Sequence, residues 1–161
     1  IVRKLNDFSL DAGILYFNNG DPETTVKLYE ERYVFIAPKS LTVSKEKQIT
    51  WAEVAQIPLC LLTQNMKNRQ LIDRHFLDLG ISPSIVTEAS DFTAVLAQVA
   101  AGNAATIAPV SVAQTFLDLK STKQLDLIRP VLTHSVGLSI KDQSPVLPMI
   151  EALRKAVKSA L

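Results

Sequence analysis

Residues 58–90 read PLCLLTQNMKNRQLIDRHFLDLGISPSIVTEAS, and the order of signals within them decides the fold class. Residues 59–62 are four consecutive apolar side chains after a proline, the pattern of a short strand buried on both faces. Thr63-Gln64-Asn65 is a polar turn. Over residues 66–79, Leu71, Ile72, His75, Phe76 and Leu79 recur at helical spacing and predict an amphipathic helix. Gly80 is placed to end that helix in the left-handed conformation, Pro83 prevents its resumption, and residues 85–87 (IVT) return as a strand. A strand, a helix and a strand in this order imply a parallel pair with a helical crossover.

The same alternation continues on either side. Upstream, residues 10–17 (LDAGILYF) are apolar and β-prone, and Asn18-Asn19-Gly20-Asp21-Pro22 stops them with turn residues. Residues 33–37 (YVFIA) form a second run, ended by Pro38. Thr50-Trp51-Ala52-Glu53 reads as a capping box opening a short helix before Pro58. Downstream, Ser90 or Asp91 caps a helix over 93–101 that is apolar on nearly every face and therefore buried. Gly102-Asn103 closes it and residues 104–108 (AATIA) return as a strand. Residues 110–119 are helical in pattern, 131–140 extended, and 146–161 form a last helix with Arg154, Lys155 and Lys158 near its C-terminal end, where cations favour the dipole. The expected class is α/β, with mainly parallel sheets and helices on both faces.

Composition narrows the function. The chain has 161 residues, 47% apolar, 20% charged and 6% aromatic, with 17 basic against 16 acidic side chains. That apolar fraction excludes a disordered chain. A net charge of +1 excludes the basic footprint of a stand-alone nucleic-acid binder. A single cysteine, Cys60, excludes a disulfide framework and any multi-cysteine metal site. The most apolar stretch, residues 94–113, is interrupted by Gln98, Gly102, Asn103, Thr106, Pro109 and Ser111, so no membrane span is expected. The chain starts at Ile1 without an initiator Met, which suggests a fragment or a processed product.

No catalytic set emerges. There is no G-x-S-x-G elbow, and Cys60 lies inside an apolar strand, where a thiolate is costly. His75 is on the apolar side of a helix beside Phe76, and His134 lies in an extended run with no partner motif. Asp7 and Asp11 would not share a helical face, because the chain from Leu10 onward is strand-like. Neither phosphate-binding glycine motif occurs, and Tyr33 with Phe35 is a core pattern more than a stacking platform. No metal and no cofactor are expected.

The polar loops carry more. In α/β sheets, ligands bind beyond the carboxyl ends of the strands, at helix N-termini. That rule selects Thr63-Gln64-Asn65, the loop from Glu88 to Phe92 with Ser90-Asp91-Phe92 in it, and Asn18 to Pro22. Hydroxyls, amides and free backbone donors converging there suit a carboxylate or similar small anion, with simple helix capping as the alternative.

At this point the order of segments resembles a known family. Leu10-Asp11-Ala12-Gly13-Ile14, the crossing run from Leu28-Tyr29-Glu30-Glu31-Arg32 to Pro38, Ile49-Thr50-Trp51-Ala52-Glu53-Val54 before Pro58-Leu59, the set Arg69, Phe76, Gly80 and Pro83, and Val99 to Gly102 before Ile107-Ala108-Pro109 are similar to the effector-binding domain of LysR-type transcriptional regulators. The usual second glycine is replaced by Ala104. The resemblance implies a two-lobed, periplasmic-binding-protein-like (type 2) domain: residues 1–36 and 134–161 as an incomplete lobe I, and 37–133 as lobe II. The DNA-binding helix-turn-helix would lie outside this chain. It further implies a small-molecule effector held between the lobes by Thr63, Gln64, Ser90 and Asp91. Ala105 and Thr106 would form an inner wall, and Phe8 or Ser9 and Pro38 would lie near the crossing. The full-length protein would be a cytoplasmic, non-enzymatic dimer or tetramer whose effector changes operator DNA binding allosterically. A solute-binding receptor of a transport system shares the two-lobed plan and is the alternative. A small α/β transferase or lyase is a third.

Overall fold

The computed structural model describes residues 1–17, 25–42, 47–116, 120–140 and 147–160. In chain order the elements are α1 (Val2–Asn6), β1 (Ala12–Phe17), β2 (Thr25–Pro38), β3 (Gln48–Thr50), α2 (Trp51–Ala55), β4 (Leu59–Leu62) and α3 (Lys67–Asp78). They continue with β5 (Ile85–Ala89), α4 (Phe92–Ala100), β6 (Thr106–Pro109), α5 (Val110–Phe116), β7 (Thr122–Ile128), β8 (Thr133–Ile140) and α6 (Pro148–Ala160). The chain divides into two compact units, one of Ile1–Glu31 with Thr133–Leu161 and one of Arg32–Leu132. No helix of the described residues is long and apolar enough to cross a membrane.

The larger unit is built on local signals that the sequence spells out. The Thr50 hydroxyl accepts from the Glu53 N–H at 3.3 Å, while the Glu53 carboxylate accepts from the Thr50 N–H at 2.8 Å. This reciprocal box starts α2 and sends Trp51 inward, where its indole N–H donates to the Pro130 carbonyl at 2.8 Å. Gly80 adopts φ +67°, which lets the Ile81 N–H reach back to the Phe76 carbonyl at 3.0 Å and close α3. Gly102, at φ +84°, does the same service after α4. One apolar cluster joins Tyr33, Phe35, Trp51, Leu59, Leu61, Ile72, Phe76 and Ile107. A second, of Val34, Ile36, Leu96, Val99 and Ala108, lies under α4. Alternate residues of β2 thus feed opposite layers, and each fully buried large side chain contributes about 1.5–3 kcal/mol.

The sheets are mixed, not mainly parallel. Parallel pairing holds for β4 with β5 and for β3 with β7, where a helix intervenes. β2, however, pairs antiparallel with both β6 and β7, and β1 pairs antiparallel with β8. A helical crossover dictates direction only for the strands it joins; the partners of β2 arrive from 70 or more residues downstream (Tyr33↔Pro109, Val34↔Asp126), and no local signal specifies them. The elements α1, β3 and β7 and residues 25–27 of β2 also go beyond the expected set. Their alternation is irregular, and β7 (TKQLDLI) buries only Thr122, Leu125 and Leu127. The strand expected at 104–108 begins instead at Thr106.

In the smaller unit, Leu138, Ile140 and Ile150 form the core, with Ala12, Leu28, Leu153 and Val157 packed against it. Asp7 is the C-cap of α1 and accepts from the Ser9 N–H at 3.0 Å, so it has a turn role, and the Asp7/Asp11 pair is not a dyad on one helical face. The turn at 18–22 lies outside the described residues, as do 117–119 of the helix expected over 110–119 and 146 and 161 of the last.

Candidate functional site

Two strand ends meet in the larger unit. β4 and β5 run parallel with Leu62 opposite Ala89, and the first residue beyond β4, Thr63, donates its N–H to the Ala89 carbonyl at 3.0 Å. The Thr63-Gln64-Asn65 turn and the Ser90-Asp91 turn are therefore neighbours at the carboxyl ends of their strands, where helices begin. Thr63 closes its own turn: its carbonyl accepts from the Met66 N–H at 2.9 Å and its hydroxyl donates to Asn65 Oδ1 at 2.7 Å.

The two helix starts differ electrically. Asp91 caps α4, its carboxylate accepting from the Ala94 N–H at 2.9 Å. At α3 the N-cap position is Met66, which supplies no side-chain acceptor. The N-cap side chain therefore covers none of the first N–H groups of α3, and exposed Lys67 stands at its first position. A carboxylate already sits at α4. An incoming anion is favoured at α3.

Arg69 supports both turns from below. Its side chain is 3% exposed; Nε donates to Asp73 at 2.7 Å, and Nη1 donates both to the Leu62 carbonyl at 2.8 Å and to Glu88 at 2.6 Å. Burial alone lowers the guanidinium pKa, but hydrogen bonds and charge from Asp73 and Glu88 outweigh it and hold the group above its ordinary value. Composition gives no hint of this role, since an arginine in the first turn of an amphipathic helix normally faces water.

The other expected residues lie elsewhere. Leu59 bridges Ala105 in parallel, with the Cys60 N–H donating to the Ala105 carbonyl at 2.8 Å. Ala105 is therefore level with the start of β4, not with the turn after Leu62. It is fully buried in the main cluster. Thr106 is 1% exposed and its hydroxyl has no hydrogen-bond partner among the described residues. Pro38 is buried opposite Thr122. Ser9 is exposed, in the smaller unit, beside Phe8, which is 66% exposed. Carried on in parallel from that bridge, the register puts Leu62 level with Ala108 and the turn after it level with Pro109. Pro109 faces Tyr33 in register, and the Tyr33 hydroxyl donates to Asn68 of α3.

Groups with potential chemistry are occupied by packing. Cys60 is buried, and burial pushes its thiol pKa up. The His75 ring packs on Trp51 with centroids 4.2 Å apart, and burial pulls its pKa down against a smaller opposing pull from Asp78. His134 lies 5.7 Å from the Tyr16 ring. Among the described residues no group of three or more His, Cys, Asp or Glu side chains could hold a metal ion.

The family model described as "LysR substrate binding domain" matches residues 1–161. No curated protein sequence matches significantly. Among solved structures, the effector binding domain of QuiR in complex with shikimate superposes with a TM-score of 0.78 at 19% identity, covering 97% of this chain and 74% of that one. The regulatory domain of CcmR from Synechocystis PCC6803, in complex with 2-PG, gives 0.85 at 9% identity, covering 99% and 77%. Full-length CbnR complexed with its target DNA gives 0.78 at 19% identity; this chain covers 98% of itself and 53% of CbnR. At these identities the superpositions show a shared fold.

Proposed function

We propose, from the premise that this chain belongs to the LysR substrate binding domain family, that it is the effector-sensing part of a bacterial transcriptional regulator and that its larger unit presents a small anion to the start of α3. The observation that carries the assignment is the pairing of one uncapped and one carboxylate-capped helix start, tied together by the Thr63–Ala89 bond. Gln64 and the first N–H groups of α3 supply donors, joined by the Thr63 hydroxyl once it turns from Asn65 to the ligand; Ser90 and Asp91 border them and disfavour a second negative charge. Pro109 to Ser111 complete the rim, with Ala105 and Thr106 behind it. The two compact units take the roles of lobe I and lobe II.

Structures sharing the fold include a complex with shikimate, a complex with 2-PG and a LysR family transcriptional regulator bound to its target DNA. By analogy the effector here is a small carboxylate or phosphorylated acid. The full-length regulator acts in the cytoplasm, self-associates, and reads operator DNA through a segment outside this chain. The chain itself binds without a chemical step, since its cysteine and His75 are held in packing roles. The family assignment favours regulation over the transport-receptor alternative.

A melting screen against small carboxylates and phosphorylated acids tests the proposal. Ligand at a hundred times its dissociation constant adds about 2.7 kcal/mol of stability. Stabilisation by cationic or apolar compounds alone would overturn it.

A further inference from the structure

We infer that Arg69 is a positioning residue for effector binding: its buried guanidinium clamps the two strand ends from which the binding turns spring. The inference rests on the effector assignment above for its purpose, but not for its geometry. Nη1 has two N–H groups. One donates to the carbonyl of Leu62, the residue immediately before Thr63, and the other to Glu88, two residues before Ser90. Nε meanwhile anchors the plane of the group to Asp73, one turn along α3. Three elements are thereby referenced to one rigid plane: α3 through Arg69 itself, β4 through Leu62, and β5 through Glu88.

The chemistry requires arginine. Two of the fork's nitrogens point in fixed, different directions, whereas a lysine ammonium is a single point and cannot span the same three acceptors. Arg69 is 3% exposed while Asp73 and Glu88 are 39% and 40% exposed, so water reaches the two carboxylates but the carbonyl contact is shielded. A buried charge left short of a partner is costly, and the cheapest response to losing Glu88 is movement at the neighbouring strand ends. The turns carrying Thr63 and Asp91 would then lose their fixed spacing, and an effector would have to restore it on binding.

Amide hydrogen exchange by NMR, on this chain and its Glu88→Gln and Arg69→Lys variants, tests the inference. The Glu88→Gln change is at a partly exposed carboxylate and keeps the fold if the arginine variant does not. The Thr63 and Met66 amides should exchange about tenfold faster in both variants. The Cys60 amide, bonded to Ala105 at the opposite end of β4, should be unchanged. Equal acceleration at Cys60 would make Arg69 a general stabiliser, and unaltered exchange at Thr63 and Met66 would remove the clamp; either overturns the inference. Titration of the same samples with succinate and with inorganic phosphate separates the two claims. Local acceleration without any anion-induced shift at residues 63–68 leaves the clamp standing and ends the effector assignment.

Discussion

The Thr63 N–H donates to the Ala89 carbonyl at 3.0 Å, so the residue that leaves β4 is held by the residue that ends β5. That single bond sets the starts of α3 and α4 side by side, one lacking a side-chain cap and one bearing the Asp91 carboxylate. Anion recognition without a committed positive side chain follows from that asymmetry.

Thr63→Val keeps the shape of the side chain and deletes the hydroxyl that bonds Asn65 at 2.7 Å. On binding, that hydroxyl turns from Asn65 to the ligand, and loss of one donor to a charged ligand corresponds to about a tenfold loss of affinity. Calorimetry with the best carboxylate from the melting screen should show that drop with the melting temperature little changed. Unaltered affinity would take Thr63 out of the site.

Asp91 caps α4, accepting from the Ala94 N–H at 2.9 Å. Asp91→Ala should lower stability by about 1 kcal/mol, and Asp91→Asn by much less, in urea unfolding. The same Asp91→Asn change removes a negative charge beside the α3 start and should tighten anion binding. Weaker binding in Asp91→Asn would place the carboxylate in contact with the ligand.

His75 gives stability a pH dependence whose sign is fixed. Burial lowers its pKa in the folded chain below the ordinary 6.5, so the unfolded chain binds the proton first as pH falls. Stability is then full above the unfolded value of about 6.5 and declines below it, until the folded pKa is passed. Wild type minus His75→Leu, followed by urea midpoints from pH 8 to pH 5, should show that decline. A flat difference would mean the ring is solvated despite its contact with Trp51.

Cys60 is buried in β4 with its thiol pKa raised. A thiol reagent should leave the native chain unmodified on the timescale in which urea-unfolded chain reacts completely. Native labelling as fast as unfolded labelling would show that β4 opens freely, and with it the turn at Thr63.

How far the sequence could be read depended on the range of the interactions involved. The Thr50–Glu53 box, the β4 strand, the Gly80 stop and the Asp91 cap are local, within a few residues, and each formed as expected. The antiparallel partners of β2 were not legible, because Val34 meets Asp126 only through a fold-wide return of the chain. The Thr63 and Ser90–Asp91 turns are legible as turns at strand ends because turn chemistry follows apolar strands. The level of Pro109 in the sheet is not legible locally, because it depends on the bridge between Leu59 and Ala105. Arg69 was noticed only as a matching helix residue. Its burial depends on where the Leu62 carbonyl and Glu88 lie, and neither is encoded within α3.

The most direct measurement is an NMR titration of the isotopically labelled chain with the carboxylate that stabilises it most. Saturable amide shifts centred on residues 63–68, with smaller ones at 90–91 and 109–111, are the predicted result. Saturable shifts confined to residues 133–160, or none with any anion of the set, would contradict an anion site at the start of α3.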